Sequence, residues 1–184
     1  MNEKNDNSGE NQPPKEVIEI QAVADPTTKR RGESAEAEFI SRAISLGFSV
    51  LKPWGESDRY DVVIDHGSGF WRVQVKFTAC LRRSEYLLKL ALHPRMTYTP
   101  AQIDFVAGYI GPLGLWYIVP IEMCDGKRAL YLCPEGRGKS KYERYREAWC
   151  LLDCTPQARG WNDIPAVCRC QQLAVRCAVC PLRE

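Results

Sequence analysis

Residues 60–77 read YDVVIDHGSGFWRVQVKF, and the fold is decided there. Val62, Val63 and Ile64 are β-formers that follow Tyr60 and Asp61. Gly67 and Gly69 in HGSG permit the backbone angles of a reversal. The second run alternates, with Trp71, Val73, Val75 and Phe77 on one face and Arg72, Gln74 and Lys76 on the other. The spacing predicts a β-hairpin. On its second strand Gln74 and Lys76 lie about 7 Å apart on one face, and strand pairing brings Asp61 to the same end. An acid, an amide oxygen and an ammonium in one small region suit a divalent-metal site that cuts a phosphodiester. The plainer reading is a half-exposed hairpin with a polar face, and spacing alone does not separate the two.

Working outward on the N-terminal side, Gly32–Leu46 has helical periodicity. Phe39, Ile40, Ala43 and Ile44 form its apolar stripe and Gly47 is the stop. Glu36 precedes Phe39 by three and Ile40 by four, at the buried edge of that stripe, whereas Glu33 lies further round. A carboxylate so placed either pairs or binds a metal, or it simply complements the helix dipole in the first turn. Phe48–Trp54 reads as a strand ending at Pro53. Lys29, Arg30 and Arg31 form a short basic run suited to phosphates or to solvent. Residues 1–30 are polar and proline-bearing and are expected to be a disordered tail, with Val17–Val23 as an optional edge strand.

On the C-terminal side, Glu85–Leu92 reads as a third strand continuing the sheet or as a helix, with the strand favoured. Thr99–Tyr109 is expected to be a short helix opened by a capping threonine and Pro100. Asp104 within it either acts in the site or packs against a basic neighbour. Leu115–Ile121 reads as a central strand and Leu130–Pro134 as a further short one. Residues 136–152 look helical from about Lys141. Arg137, Lys139, Lys141, Arg144 and Arg146, with Tyr142 and Tyr145 between them, suit a nucleic-acid backbone and stacked bases, or they are the solvated charges of a surface helix that buries Trp149, Leu151 and Leu152. The tail from 153 ends with Cys168, Cys170, Cys177 and Cys180 as C-x-C-x6-C-x2-C. Four thiolates match a tetrahedral zinc in ligand type. The tight C-x-C half, the short loop and the lack of a nearby histidine weigh against it, toward a tail of reduced thiols. Cys150 and Cys154 are read as packing residues.

The composition sets bounds. At 184 residues there is room for one domain with a true core plus tails. A net charge of +2 gives no global basic field, so a nucleic-acid partner must be held locally. No apolar run approaches membrane-spanning length and the N-terminus has no signal-like apolar segment. A cytoplasmic protein with nine largely reduced cysteines is expected.

The order RGESAE, a strand, KPWGESDRYD, RYDVVIDHGSGFWRVQVK, IDFVAGYI, LWYIVP and KYERYREAWCLL resembles the PD-(D/E)XK endonuclease family. In particular it is similar to the group-I-intron-associated bacterial branch and, in layout, to archaeal Holliday-junction resolvases. The resemblance covers about residues 31–152, taken as the nuclease domain between the tails 1–30 and 153–184. It implies a restriction-endonuclease-like α/β sandwich with a mixed central sheet and core order αβββαβ. It also implies a metal-dependent DNA endonuclease using Mg²⁺, with Mn²⁺ as substitute, and a homodimer as one source of specificity. Asp61 takes the metal-binding acid position, Gln74 the (D/E) position, Lys76 the catalytic lysine position and Glu36 the helix-borne acid. Two departures stand out. Tyr60 replaces the name-giving proline, and Gln74 replaces an acid, keeping an oxygen but losing a charge. The second leaves a rival reading, a catalytically decayed nucleic-acid-binding module of the same fold.

Overall fold

A computed structural model describes residues 27–55, 57–67, 69–91, 96–124, 126–135 and 140–153. Both tails, including Val17–Val23 and the four C-terminal cysteines, lie outside the described residues. Helix α1 spans Thr28–Ser45, opening four residues before the expected start and taking the basic run into its first turn. The Thr27 side chain caps it by accepting from the Arg30 N–H at 3.4 Å. It stops where Gly47, at φ +88°, lets the chain leave the helix. The buried series is Ala35, Phe39 and Ala43, spaced by four. Ile44, expected in the stripe, is 57% exposed, because that series centres the core-facing line one residue earlier.

The main sheet contains β1 (Ser49–Leu51), β2 (Val62–Asp65), β3 (Phe70–Thr78), β6 (Phe105–Ile110) and β7 (Leu115–Pro120), in the order β1-β2-β3-β6-β7. A smaller sheet holds β4 (Leu81–Arg82), β5 (Glu85–Lys89) and β8 (Ala129–Leu132), in the order β4-β5-β8. All pairings in the main sheet are antiparallel except β3 with β6, so the sheet is mixed, as expected. The β2–β3 hairpin turns through His66–Gly69, with the His66 N–H donating to the Gly69 carbonyl at 3.1 Å and Gly67 at φ +85°.

Strand β3 sits in the middle and is covered on both faces. On one side Phe77, Tyr109 and Trp116 lie in register across β3, β6 and β7. Phe39 of α1 meets Trp116 there at 5.4 Å between ring centres. On the other side Lys76 is the register partner of Gly108. A Cβ on Gly108 would come within 2.5 Å of Leu88, so β5 packs over that face. The strand expected to be half solvated is therefore sandwiched, and Gln74 is only 6% exposed.

Two expected helices are absent among the described residues. Thr99–Gln102 forms a turn, with the Gln102 N–H donating to Thr99 O at 2.9 Å, and the chain then enters β6. The capping signals at Thr99 and Pro100 are local; the buried run Phe105, Val106, Ala107 gains more by pairing with β3. Among the described residues the β3→β6 crossover thus consists of β4, β5 and a turn, and the second helix of the αβββαβ order does not appear there. After β8, the segment expected to be helical makes two 3-10 turns, Glu143–Tyr145 and Trp149–Leu152. Between them Glu147 adopts φ +50° and its N–H donates to Trp116 O at 2.8 Å. Strand β7, expected to be central, ends the strand order of the main sheet.

Candidate active site

Asp61 immediately precedes β2, its N–H donating to Val73 O at 3.0 Å. One carboxylate oxygen, Oδ2, receives both the Val75 N–H at 2.8 Å and the Gln74 side-chain NH₂. The Gln74 nitrogen also reaches Val75 O at 3.3 Å. Burial pushes the Asp61 carboxyl above its usual range. The Val75 N–H opposes that shift, the Glu36 charge adds to it, and Lys76 and Lys52 oppose it. Burial pushes Lys76 downward, against the pull of Asp61 and Glu36. The sequence-predicted quartet of Asp61, Gln74, Lys76 and Glu36 is thus brought into mutual influence.

Glu36 arrives from α1. Its Oε2 accepts from the Lys52 ammonium at 2.7 Å. Glu36, Lys52, Tyr60 and Asp61 line one open cleft of about 460 Å³, together with Glu33 and Lys29. Gln74 and Lys76 do not line it; they approach Asp61 from the sheet side. Sequence reasoning missed Lys52, although it stands in the quoted KPWGESDRYD stretch, and it missed Tyr98, whose ring centre lies 5.4 Å from the Lys76 ammonium. Tyr98 sits in an irregular connection that gives no periodic signal.

Asp104 proves structural. It accepts from the Arg72 side chain at 3.0 Å through each carboxylate oxygen and from the Arg72 N–H at 2.7 Å. In the basic segment Lys141 and Arg144 are exposed, and Arg146 is partly tied down. Arg146 donates to Pro134 O at 2.8 Å and lies 3.7 Å from Glu143. Lys141 and Arg144 lie over Tyr142 and Tyr145, and both rings are buried, so they are not free platforms for bases. Arg137 and Lys139 are outside the described residues.

No group of three or more His, Cys, Asp or Glu poised for a metal occurs among the described residues. The quartet instead offers two carboxylates and one amide, all hard oxygen donors of the kind that magnesium takes. Asp61 gives the fit its basis. It is desolvated and faces a second carboxylate, and a divalent cation would relieve both penalties.

A mixed sheet with a helix across one face and an acid, an amide and a lysine on its central hairpin is the layout of a restriction-endonuclease-like α/β protein. The chain belongs to the PD-(D/E)XK endonuclease family, whose model matches residues 26–152. Among solved structures it is similar to a bacterial homing endonuclease, I-Ssp6803I, at 28% identity and a TM-score of 0.60. That match covers 69% of this chain and 91% of the other. No curated protein matches. The family makes the chain a nuclease by class. No helix of the described residues is long and apolar enough to cross a membrane.

Proposed function

We propose that this protein is a Mg²⁺-dependent DNA endonuclease that hydrolyses phosphodiester bonds at the cleft beside Asp61. The observation that carries the reading is the convergence of Gln74 and Lys76 on Asp61 within one hairpin, with Asp61 and Glu36 both lining the cleft. Glu36, Asp61 and the Gln74 side-chain oxygen would hold the cation. When bound, such a cation supplies charge neutralisation at the phosphate and a more acidic water. Asp61 is held by Val75 N–H on one oxygen, which leaves the other oxygen for this work. Lys76 is a fixed cation that stabilises negative charge developing on the phosphate or orients the attacking water. Lys52, the more exposed partner of its pair with Glu36, meets the approaching backbone as a positive charge.

One feature favours the rival, a decayed DNA-binding module. Gln74 meets Asp61 through its amide nitrogen, so metal binding requires that the amide turn its oxygen inward. Nicking of supercoiled plasmid in Mg²⁺, Mn²⁺ or EDTA separates the two. The endonuclease cuts in either metal and stops in EDTA, whereas the module retains DNA without cutting it. Duplex and four-way-junction substrates in the same assay rank the homing and resolvase forms of the activity.

A further inference from the structure

The face of β3 that carries Gln74 and Lys76 also carries Arg72. The Arg72 guanidinium donates to the carbonyls of Ala101 and Pro100 and pairs with Asp104 at 3.0 Å. The turn at Thr99–Gln102 is thereby pinned onto the same strand face as Lys76. The residue just before that turn, Tyr98, is folded back so that its ring lies over the Lys76 ammonium, 5.4 Å from ring centre to nitrogen. The ring is 3% exposed. Its hydroxyl is buried and has no hydrogen-bond partner among the described residues. The ring is therefore placed by packing and by the Arg72 clamp, not by its oxygen. Burial and the nearby Asp61 push the phenol well above its usual range, with Arg59 opposing, so the ring stays neutral and keeps the electron-rich face that attracts a cation.

We infer that Tyr98 is a positioning residue of the nuclease site, acting through Lys76: its ring face fixes the ammonium over the hairpin so that the charge is in place before substrate arrives. A lysine has a flexible four-carbon stem, and an ammonium free to wander loses much of its value as a preorganised charge. Asp61 and Glu36 attract Lys76, and the Tyr98 ring supplies a further surface against which the ammonium rests. The inference rests on the reading of Lys76 given above.

The test compares Tyr98→Leu, which removes the ring face, with Tyr98→Phe, which keeps it. At saturating DNA in Mg²⁺, Y98L is expected to cut about tenfold more slowly with little change in KM, and Y98F to stay within about threefold of wild type. The second arm needs neither metal nor DNA. Acylation of Lys76 by an N-hydroxysuccinimide ester, read by peptide mass mapping, should run about threefold faster or more in Y98L and at the wild-type rate in Y98F. Should Y98L fail to fold by thermal scan, Tyr98→Met refills the volume with a flexible chain and carries the same comparison. Wild-type cutting and labelling in a folded Y98L or Y98M overturns the inference, as does Y98F behaving like Y98L. If the wild type does not nick DNA at all, the endonuclease reading fails, and the labelling arm still decides whether the ring holds the lysine.

Discussion

Two half-buried acidic clusters in this molecule are built on opposite principles. Glu143 is engaged on both oxygens: Oε1 accepts the Cys133 N–H at 3.0 Å, the Tyr117 hydroxyl is shared between Oε1 at 2.9 Å and Oε2 at 3.1 Å, and Arg146 stands 3.7 Å from Oε2. Glu147 likewise receives the Trp116 N–H at 2.7 Å and the Trp149 indole N–H at 2.9 Å. Among the described residues Asp61 receives its donors on Oδ2 alone, and it faces the like charge of Glu36. A structural acid is saturated with donors, because each buried donor or acceptor left unmade costs about 1–3 kcal/mol. An acid held desolvated, with donors on one oxygen and a like charge nearby, is uncomfortable in the folded protein and prepared for a ligand that relieves it.

The contrast is broken or sharpened most strongly at Asp61. Asp61→Asn and Lys76→Ala should each lower plasmid nicking on the order of 10³-fold or more. The sign for stability follows from the raised Asp61 carboxyl. Ionising it costs more in the folded than in the unfolded chain, so its contribution is fully present below the unfolded value of 3.8 and is lost as pH rises. Asp61→Asn should therefore leave the melting temperature unchanged or raise it at pH 7; a clear fall would place Asp61 with the saturated acids. Glu143→Ala should do the reverse, costing about 2–3 kcal/mol in urea unfolding while cutting within a few-fold of wild type below the transition. A near-neutral urea midpoint for Glu143→Ala would undo the distinction.

The protons that serve the saturated region give a smaller, pH-dependent effect. Burial, the Glu143 hydrogen bond and the Glu143 charge raise the Tyr117 phenol, and burial pushes the Cys124 thiol up to about 12. In the unfolded chain these groups release protons from about pH 9–10, whereas the folded chain retains them. Stability should hold up to pH 9 and fall above it, by about 1–2 kcal/mol at pH 10.5 from Cys124 alone, and Cys124→Ala should flatten that slope. Smallest of all is Lys52→Met. The Lys52 half of its pair with Glu36 is exposed, so urea unfolding should change by under about 1 kcal/mol.

The hairpin and α1 were legible in the sequence because their signals are local: alternation, a glycine turn, a stripe spaced by four. Glu36 was less so. The stripe put it at a buried edge, and only the family resemblance turned that position into a site residue. What misled is also physical. Thr99 and Pro100 carry genuine helix-start chemistry, yet Phe105 pairs with Val73, far back in the chain, and that pairing decides the state of the segment. In KYERYREAW the segment read as helical from about Lys141, but Glu143 and Glu147 turn inward to donors on β7 and around it, and the chain makes 3-10 turns instead. Tyr98 left no trace because its role comes from where the crossover is clamped.

That crossover also orders events in time. Asp61, Gln74 and Lys76 lie on one hairpin, whose strands can meet after a short loop closes. The ring over Lys76 comes with β6, whose parallel pairing to β3 demands a much longer closure, with no helix among the described residues of the crossover to shorten the search. The expected course of folding is a hairpin that forms early and uncovered, then gains its roof in the rate-limiting step. Pulse-labelled amide exchange should show Val73 and Val75 protected on the β2 side before the amides of β6, and simultaneous protection would refute this order.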